Sequence, residues 1–331
     1  LFPKVVKRRE KVNTFQRYLA DEFAEDYQER RLTRRDALKL IASVTGSLVI
    51  AESILAACAP APLEESTAVQ PATPVPESTQ PPAAQESNAT EPEPPTAIVA
   101  PDDSAIEASP IEFPGEGATL LGYLSRPGGD GPAPVILVCH ENRGLNPHIE
   151  DVTRRLARAG YVALAVDLLS RQGGSPQVGE SNVPGALGSI DPAQFVSDFK
   201  SGWTYLLDQP FANAERVGMV GFCFGGGVTW LMTVEMPELK AAVPFYGPPP
   251  PEEDLLRIQA AVLAIYGALD GRITGTAERI EAAMLANGKI FEKEIYPNAD
   301  HAFHNDTGSR YNPEAAMAAW ARTVDWFGRY V

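Results

Sequence analysis

The chain has 331 residues, with 43 Asp or Glu against 28 Lys or Arg, a formal net charge of -15 and a sequence pI near 4.8. This acidic balance argues against a dominant nucleic-acid surface and says little about a small substrate. Three cysteines, Cys58, Cys139 and Cys223, are too few for a disulfide framework, so each needs its own explanation.

In chain order, residues 1–57 hold 11 Lys or Arg against 8 Asp or Glu, so the basic charge is concentrated here. The segment Thr33-Arg34-Arg35-Asp36-Ala37-Leu38-Lys39 resembles a twin-arginine export motif and precedes a mostly apolar run over 40–57. That run ends in Leu55-Ala56-Ala57-Cys58, which is similar to a bacterial lipobox, in which the cysteine thiol is lipidated. Residues 1–57 are therefore expected to be a leader read by twin-arginine export and lipoprotein-processing machinery. The alternative is a short amphipathic or buried helix followed by an unrelated cysteine. Glu52 and several small polar residues interrupt the run, so membrane attachment is expected through lipid at Cys58 and not through a spanning helix. The expected location is outside the cytoplasm, facing the periplasm or cell exterior.

Residues 58–110 are expected to form a tether. From 59 to 110 there are 12 prolines and 9 acidic residues, with no Lys, Arg or aromatic residue. Such a composition buries too little apolar surface to offset the entropy of ordering and extends by self-repulsion.

Residues 111–331 read as one domain. Strands are predicted at 120–125, 135–139, 162–167, 216–222, 241–246, 261–266 and near 291–296; helices are predicted at 149–159, 192–207, 225–236, 277–286 and 313–330. Short apolar strands alternating with helices predict a mostly parallel α/β sheet covered on both faces. Reactive residues of such a sheet belong on loops just past the strands' carboxyl ends, where Glu141, Cys223, Asp270 and His301 fall. Cys139 ends an apolar run and reads as a packing residue.

The stretch Gly221-Phe222-Cys223-Phe224-Gly225-Gly226-Gly227 has the strand, sharp turn and helix of a nucleophile elbow, with cysteine in the serine position. A buried cysteine in a glycine-rich packing turn is the other reading. A cysteine nucleophile needs a base and the base an orienter; the chain then supplies Asp270 and His301, in the order expected of such triads. Asp300 sits too close to His301 in sequence for the orienting role, and His304 competes less well as the base. A metal pair of His301 and His304 finds no third ligand, so neither metal nor cofactor is expected.

Residues from about 112 to the end resemble the dienelactone hydrolase family. The resemblance rests on His140-Glu141-Asn142-Arg143-Gly144-Leu145-Asn146-Pro147-His148, on the Cys223 elbow, on Val243-Pro244-Phe245-Tyr246-Gly247 and on His301-Ala302-Phe303-His304-Asn305. It implies a three-layer α/β-hydrolase fold and a cysteine hydrolase of ester or lactone bonds working through an acyl-enzyme. By the same resemblance Cys223 attacks, His301 shuttles the proton, Asp270 fixes the histidine and Glu141 governs thiol protonation. The backbone N–H groups of Phe224 and Asn142 would hold the oxyanion.

The family's arginine clamp for a substrate carboxylate looks absent: residues 173–192 contain no arginine, and Asn305 stands four residues after the histidine. Arg171, Arg272 and Arg310 are substitute candidates, and a neutral ester, lactone or thioester is the expected substrate. Arg143, Tyr246 and Trp230, with Trp203, are candidate pocket residues. A noncatalytic, lipid-tethered binding protein on the same scaffold is the alternative, and a monomer is the expected state.

Overall fold

The structure, a computed structural model, describes residues 12–57, 99–129 and 131–331. Cys58 and its proposed lipidation lie outside the described residues. Eight strands form one sheet in the order β1-β2-β4-β3-β5-β6-β7-β8. These are β1 (Ile106–Gly115), β2 (Ala118–Pro127), β3 (Ala133–Cys139), β4 (Val162–Val166), β5 (Ala212–Phe222), β6 (Ala241–Phe245), β7 (Ala261–Gly267) and β8 (Phe291–Tyr296). The β1–β2 and β2–β4 pairs are antiparallel and all others parallel, so the sheet is mostly parallel. It is the middle layer of a three-layer α/β-hydrolase fold.

Strands β4, β6 and β7 are buried along their whole length and β3 from Val135 on, which explains their continuous apolar sequences: Val135 to Cys139 and Val162 to Val166 are all inaccessible to solvent. The connecting helices start where the sequence supplies caps. Asn146 caps α4 (Pro147–Arg158), Asp191 caps α7 (Pro192–Leu207) and Asn312 caps α11 (Pro313–Tyr330), each followed by proline at the first helical position. Short helices α5 (Ser175–Val178) and α6 (Val183–Gly188) lie between β4 and α7; α8 (Phe224–Glu235) follows β5, and α9 (Gly271–Thr274) and α10 (Ala277–Ala286) lie between β7 and β8. From β3 the chain moves outward to β4 and then returns to β5 on β3's other side. That reversal opens a crevice at the carboxyl ends of β3 and β5.

Strand β1 begins inside the span expected to be tether. Its backbone pairs with β2 from Ile106 onward, and Pro110 is accommodated because β1 is an edge strand that does not need every N–H. Val99 is also fixed, its N–H donating to the Asp151 carboxylate at 2.8 Å.

Residues 12–57 form three helices, α1 (Thr14–Gln28), α2 (Arg34–Thr45) and α3 (Leu48–Ala57). The first is closed by a reciprocal capping box between Asn13 and Gln16. Phe15, Tyr18, Leu19 and Phe23 recur at helical spacing on one face, and that stripe is buried in the same core as the sheet's side chains. Phe15 packs edge-on to Phe195 and beside Phe224, with ring centroids 5.5 and 5.3 Å away. In α2 the motif's Thr33 is the N-cap, and Ile41 and Val44 turn inward. Gly46, in a left-handed conformation at φ 66°, ends α2 and divides the apolar run between two short helices. Among the described residues no helix is long and apolar enough to cross a membrane.

Behind the end of β6, Gly247 lets the chain pass close to the start of α8. A Cβ at Gly247 would stand 2.2 Å from the Gly226 carbonyl carbon and 2.3 Å from the Gly227 nitrogen, all backbone. Gly247→Ala is expected to cost about 1–3 kcal/mol and lower Tm by about 5 °C. Gly271→Ala, where nothing lies within 4 Å of the added methyl, should melt with the wild type; equal melting of both variants would refute the close-approach account.

Candidate active site

Strand β5 delivers Cys223 to the crevice through a turn that L-residues rarely make. Cys223 has φ 57° and ψ -119°, and its N–H donates to the Phe245 carbonyl at 3.1 Å. The turn needs glycine on both sides: a Cβ at Gly221 would meet the Gly225 oxygen at 2.2 Å, and one at Gly225 the His140 oxygen at 2.4 Å. Directly after the cysteine, α8 begins, so its first N–H groups have no partner within the helix and face the space around the thiol.

Asp270 ends the loop after β7 and caps α9, accepting from the Ile273 N–H at 3.2 Å. Its other oxygen lies 2.6 Å from His301 Nδ1, and all three of Cys223, His301 and Asp270 are buried. Burial works against ionising Asp270, but the hydrogen bond and charge of His301, with Arg272, hold its carboxyl below the usual range. Burial likewise opposes imidazolium formation at His301, yet the bond to Asp270 and the neighbouring thiol raise its pKa well above the usual value. Burial and the nearby Glu22 carboxylate push the Cys223 thiol up, while His301 pulls the other way.

Glu141, at the end of β3's loop, does not pair with Arg143 or Arg154. Its carboxylate accepts from Asn305 Nδ2 at 2.5 Å, and its charge adds to those opposing the thiolate. Asn305 thus holds the Glu141 carboxylate in place. Asn142 lies beside the thiol with its side chain turned to Glu22 at 3.2 Å. Asp300 accepts from the His301 N–H at 2.7 Å and pairs with Arg31, outside the orienting position. His304 sits in an aromatic box, stacked on Phe222 at 5.0 Å, and burial drives its pKa well below the usual value.

A cavity of about 360 Å³ opens beside Cys223, lined by Glu141, Asn142, Arg143 and Arg310 together with Phe23 and Asp26 of α1. Three expected pocket residues do not line it. Trp230 is buried on α8 and stacks on Phe291, because its apolar face is needed between helix and sheet. Tyr246 lies behind the site, its ring 5.0 Å from that of His301, where it buttresses the imidazole. Trp203 donates to the Ala214 carbonyl at 2.8 Å as a packing residue. Of the three substitute arginines, Arg171 is paired with Asp198 away from the thiol, Arg272 reaches Glu25 at 3.1 Å, and Arg310 lines the cavity.

Sequence reasoning missed two residues. Tyr18 of α1 places its hydroxyl 3.4 Å from Cys223 Sγ and 3.4 Å from His301 Nε2. The Glu22 carboxylate oxygens lie 3.5 and 3.6 Å from Sγ, with one 3.9 Å from His301 Nε2. Their signal was the stripe of Phe15, Tyr18, Leu19 and Phe23, which a leader has no need of. Glu22, Cys223 and His301 present donors within 4.8 Å of one another, the one such set among the described residues. The guanidinium groups of Arg272 and Arg310, both in the electrostatic field of Glu22, oppose a cation there.

Residues 120–331 match the Dienelactone hydrolase family. A protein of Methylorubrum extorquens named "Putative carboxymethylenebutenolidase" is 35% identical over 245 residues, covering 70% of this chain and 84% of that one. A solved structure named "Putative Dienelactone Hydrolase" from Klebsiella pneumoniae is 34% identical with a TM-score of 0.64, covering 68% of this chain and all of that one. A dienelactone hydrolase-like promiscuous phosphotriesterase from metagenomic libraries is 27% identical with a TM-score of 0.60, covering 68% of this chain and 99% of that one. Helices α1–α3 lie outside the matched family span.

Because burial and Glu22 keep the thiol protonated, alkylation of Cys223 by iodoacetamide should keep accelerating with pH beyond the ordinary thiol range. A plateau reached by neutral pH, measured by mass spectrometry of the Cys223 peptide, would show a preformed thiolate instead.

Proposed function

The chain belongs to the dienelactone hydrolase family, and we propose that Cys223, His301 and Asp270 are its catalytic triad, acting on a neutral ester, lactone or thioester. It is a cysteine-nucleophile hydrolase of the carboxylic-ester class. The observation that carries the residue roles is Cys223 at the apex of a left-handed elbow beside a histidine whose far nitrogen is fixed by a buried aspartate at 2.6 Å.

His301 accepts the thiol proton and the sulfur attacks the carbonyl carbon. The oxyanion is received by the backbone N–H groups of Phe224, at the start of α8, and Asn142. The C–O bond, or C–S bond of a thioester, then breaks, and His301 returns the proton to the leaving group. A water deprotonated by His301 hydrolyses the thioester on Cys223 and restores the thiol. Asp270 stabilises the imidazolium formed at each stage. Glu141 disfavours a free thiolate before substrate is present, which limits side reactions of the sulfur.

The absence of an arginine at the Asn305 position supports neutral substrates. Location at a membrane surface outside the cytoplasm is supported by the order of Arg34-Arg35, the apolar run, the small residues before Cys58 and the acidic, proline-rich stretch after it.

Incubation of the full chain with a p-nitrophenyl ester should give acylation of Cys223, detectable by mass, and slow turnover. Cys223→Ala should remove both, and Asp270→Asn should lower kcat by about 10³- to 10⁴-fold. Turnover unchanged in Cys223→Ala would overturn the nucleophile assignment. In the same assay neutral lactones should outcompete a carboxylated dienelactone at least about tenfold in kcat/KM, a factor of ~1.4 kcal/mol; the reverse preference would mean that Arg310 or Arg272 replaces the clamp.

A further inference from the structure

Resting on the hydrolase reading above, we propose that α1 is an internal inhibitor that occupies the place of the substrate, and that the site reaches full activity only when residues 12–57 leave it. Attack requires a carbonyl carbon about 3–3.5 Å from the sulfur, with its leaving group toward the histidine and its oxygen near the oxyanion donors. The Tyr18 hydroxyl fills the position between sulfur and imidazole, 3.4 Å from each. The Glu22 carboxylate fills the position against the sulfur, at 3.5 and 3.6 Å, and engages the side chain of Asn142. Cys223 is left 3% exposed.

These two groups are placed to block the reaction and not to assist it. A carboxylate beside the sulfur raises the thiol pKa and would repel the negative charge that develops on the substrate oxygen. The Tyr18 phenol, whose pKa burial raises further, stays neutral and cannot serve as a base.

The rest of α1 is a dock built from other groups. Glu25 pairs with Arg272 at 3.1 Å, Asp26 with Arg310 at 3.5 Å, and the Arg272 guanidinium lies over the Tyr18 ring at 4.8 Å. Phe15 packs against both Phe195 and Phe224. Every one of these contacts joins residues before position 58 to the matched family domain. A processing event at Cys58 that removed residues 1–57 would therefore remove the inhibitor whole, so export and activation would be one step.

The test uses the full chain with Glu25→Arg/Asp26→Arg, which sets like charges against Arg272 and Arg310 without altering a group at the thiol. Phe15→Ala/Leu19→Ala, which weakens the apolar dock, guards against a variant-specific effect; thermal melting of both establishes folding. Relative to wild type, iodoacetamide alkylation of Cys223 and p-nitrophenyl ester turnover should each rise at least about tenfold, as expected for a loss of ~1.4 kcal/mol or more of docking. Alkylation unchanged in both folded variants would overturn the proposal, as would faster alkylation with slower ester turnover, which would make α1 part of the catalytic machinery. Faster alkylation with no turnover by any form would support occlusion by α1 while sinking the hydrolase reading on which its purpose rests.

Discussion

The backbone of Cys223 is held at φ 57°, a region that costs a non-glycine residue on the order of 1–3 kcal/mol. Only surroundings that over-determine the turn sustain it. Strand β5 is buried from Val217 to Phe222 between β3 and β6, the Cys223 N–H is taken by the Phe245 carbonyl, and α8 leaves so close to the neighbouring chain that a Cβ at Gly225 or Gly226 would collide with a backbone oxygen. The strain places the sulfur at the apex of the turn and the open end of a helix beside it. Cys139, at the end of β3, is by contrast a buried packing residue.

With the elbow fixed, the other strands set the distances. Asp270 and His301 come from loops after β7 and β8, which pair in register from Val262↔Phe291 to Gly267↔Tyr296. That pairing makes the 2.6 Å contact between aspartate and imidazole a property of the sheet and not of two independent loops. The histidine is further confined by Tyr246, itself at φ 37°, while the neighbouring His304 is withdrawn among Phe222, Phe245 and Trp320. Two histidines three residues apart therefore have opposite fates: one is held by a carboxylate and one is kept neutral by burial.

Much of this was legible from residue order. The apolar runs at 135–139 and 261–266 and the glycines flanking Cys223 each act locally, so sequence alone places them. Strand β1 was not legible because an edge strand needs only its backbone, and its prolines and acids look the same as those of a tether. Trp230 could not be separated from a pocket residue, since packing and binding demand the same side chain. The residues of α1 were obscured differently. Arg34-Arg35 and Cys58 invite a reading of everything before them as an address, and an address needs no buried face. Yet Phe15, Tyr18, Leu19 and Phe23 make one, and Glu22 within that stripe is 4% exposed. A buried carboxylate on a signal-like helix has meaning only in terms of the groups it meets, and those lie about two hundred residues away.

The charges around the sulfur tie coverage to reactivity. With α1 seated, Arg272 and Arg310 pair with Glu25 and Asp26, and the Glu22 carboxylate is the charge that pushes the thiol pKa up most. Arg310 and Cys223 interact electrostatically, so with the helix gone the arginine's field would bear on the sulfur without Asp26 to offset it. Positive neighbours lower a thiol's pKa and favour the anionic intermediate. Departure of α1 would thus vacate the substrate's position and take the Glu22 charge away from the sulfur together, because both belong to the same helix. Steric and electrostatic control cannot be uncoupled in such an arrangement, and Glu141, pinned by Asn305 within the catalytic domain, would remain as the carboxylate restraining the thiol.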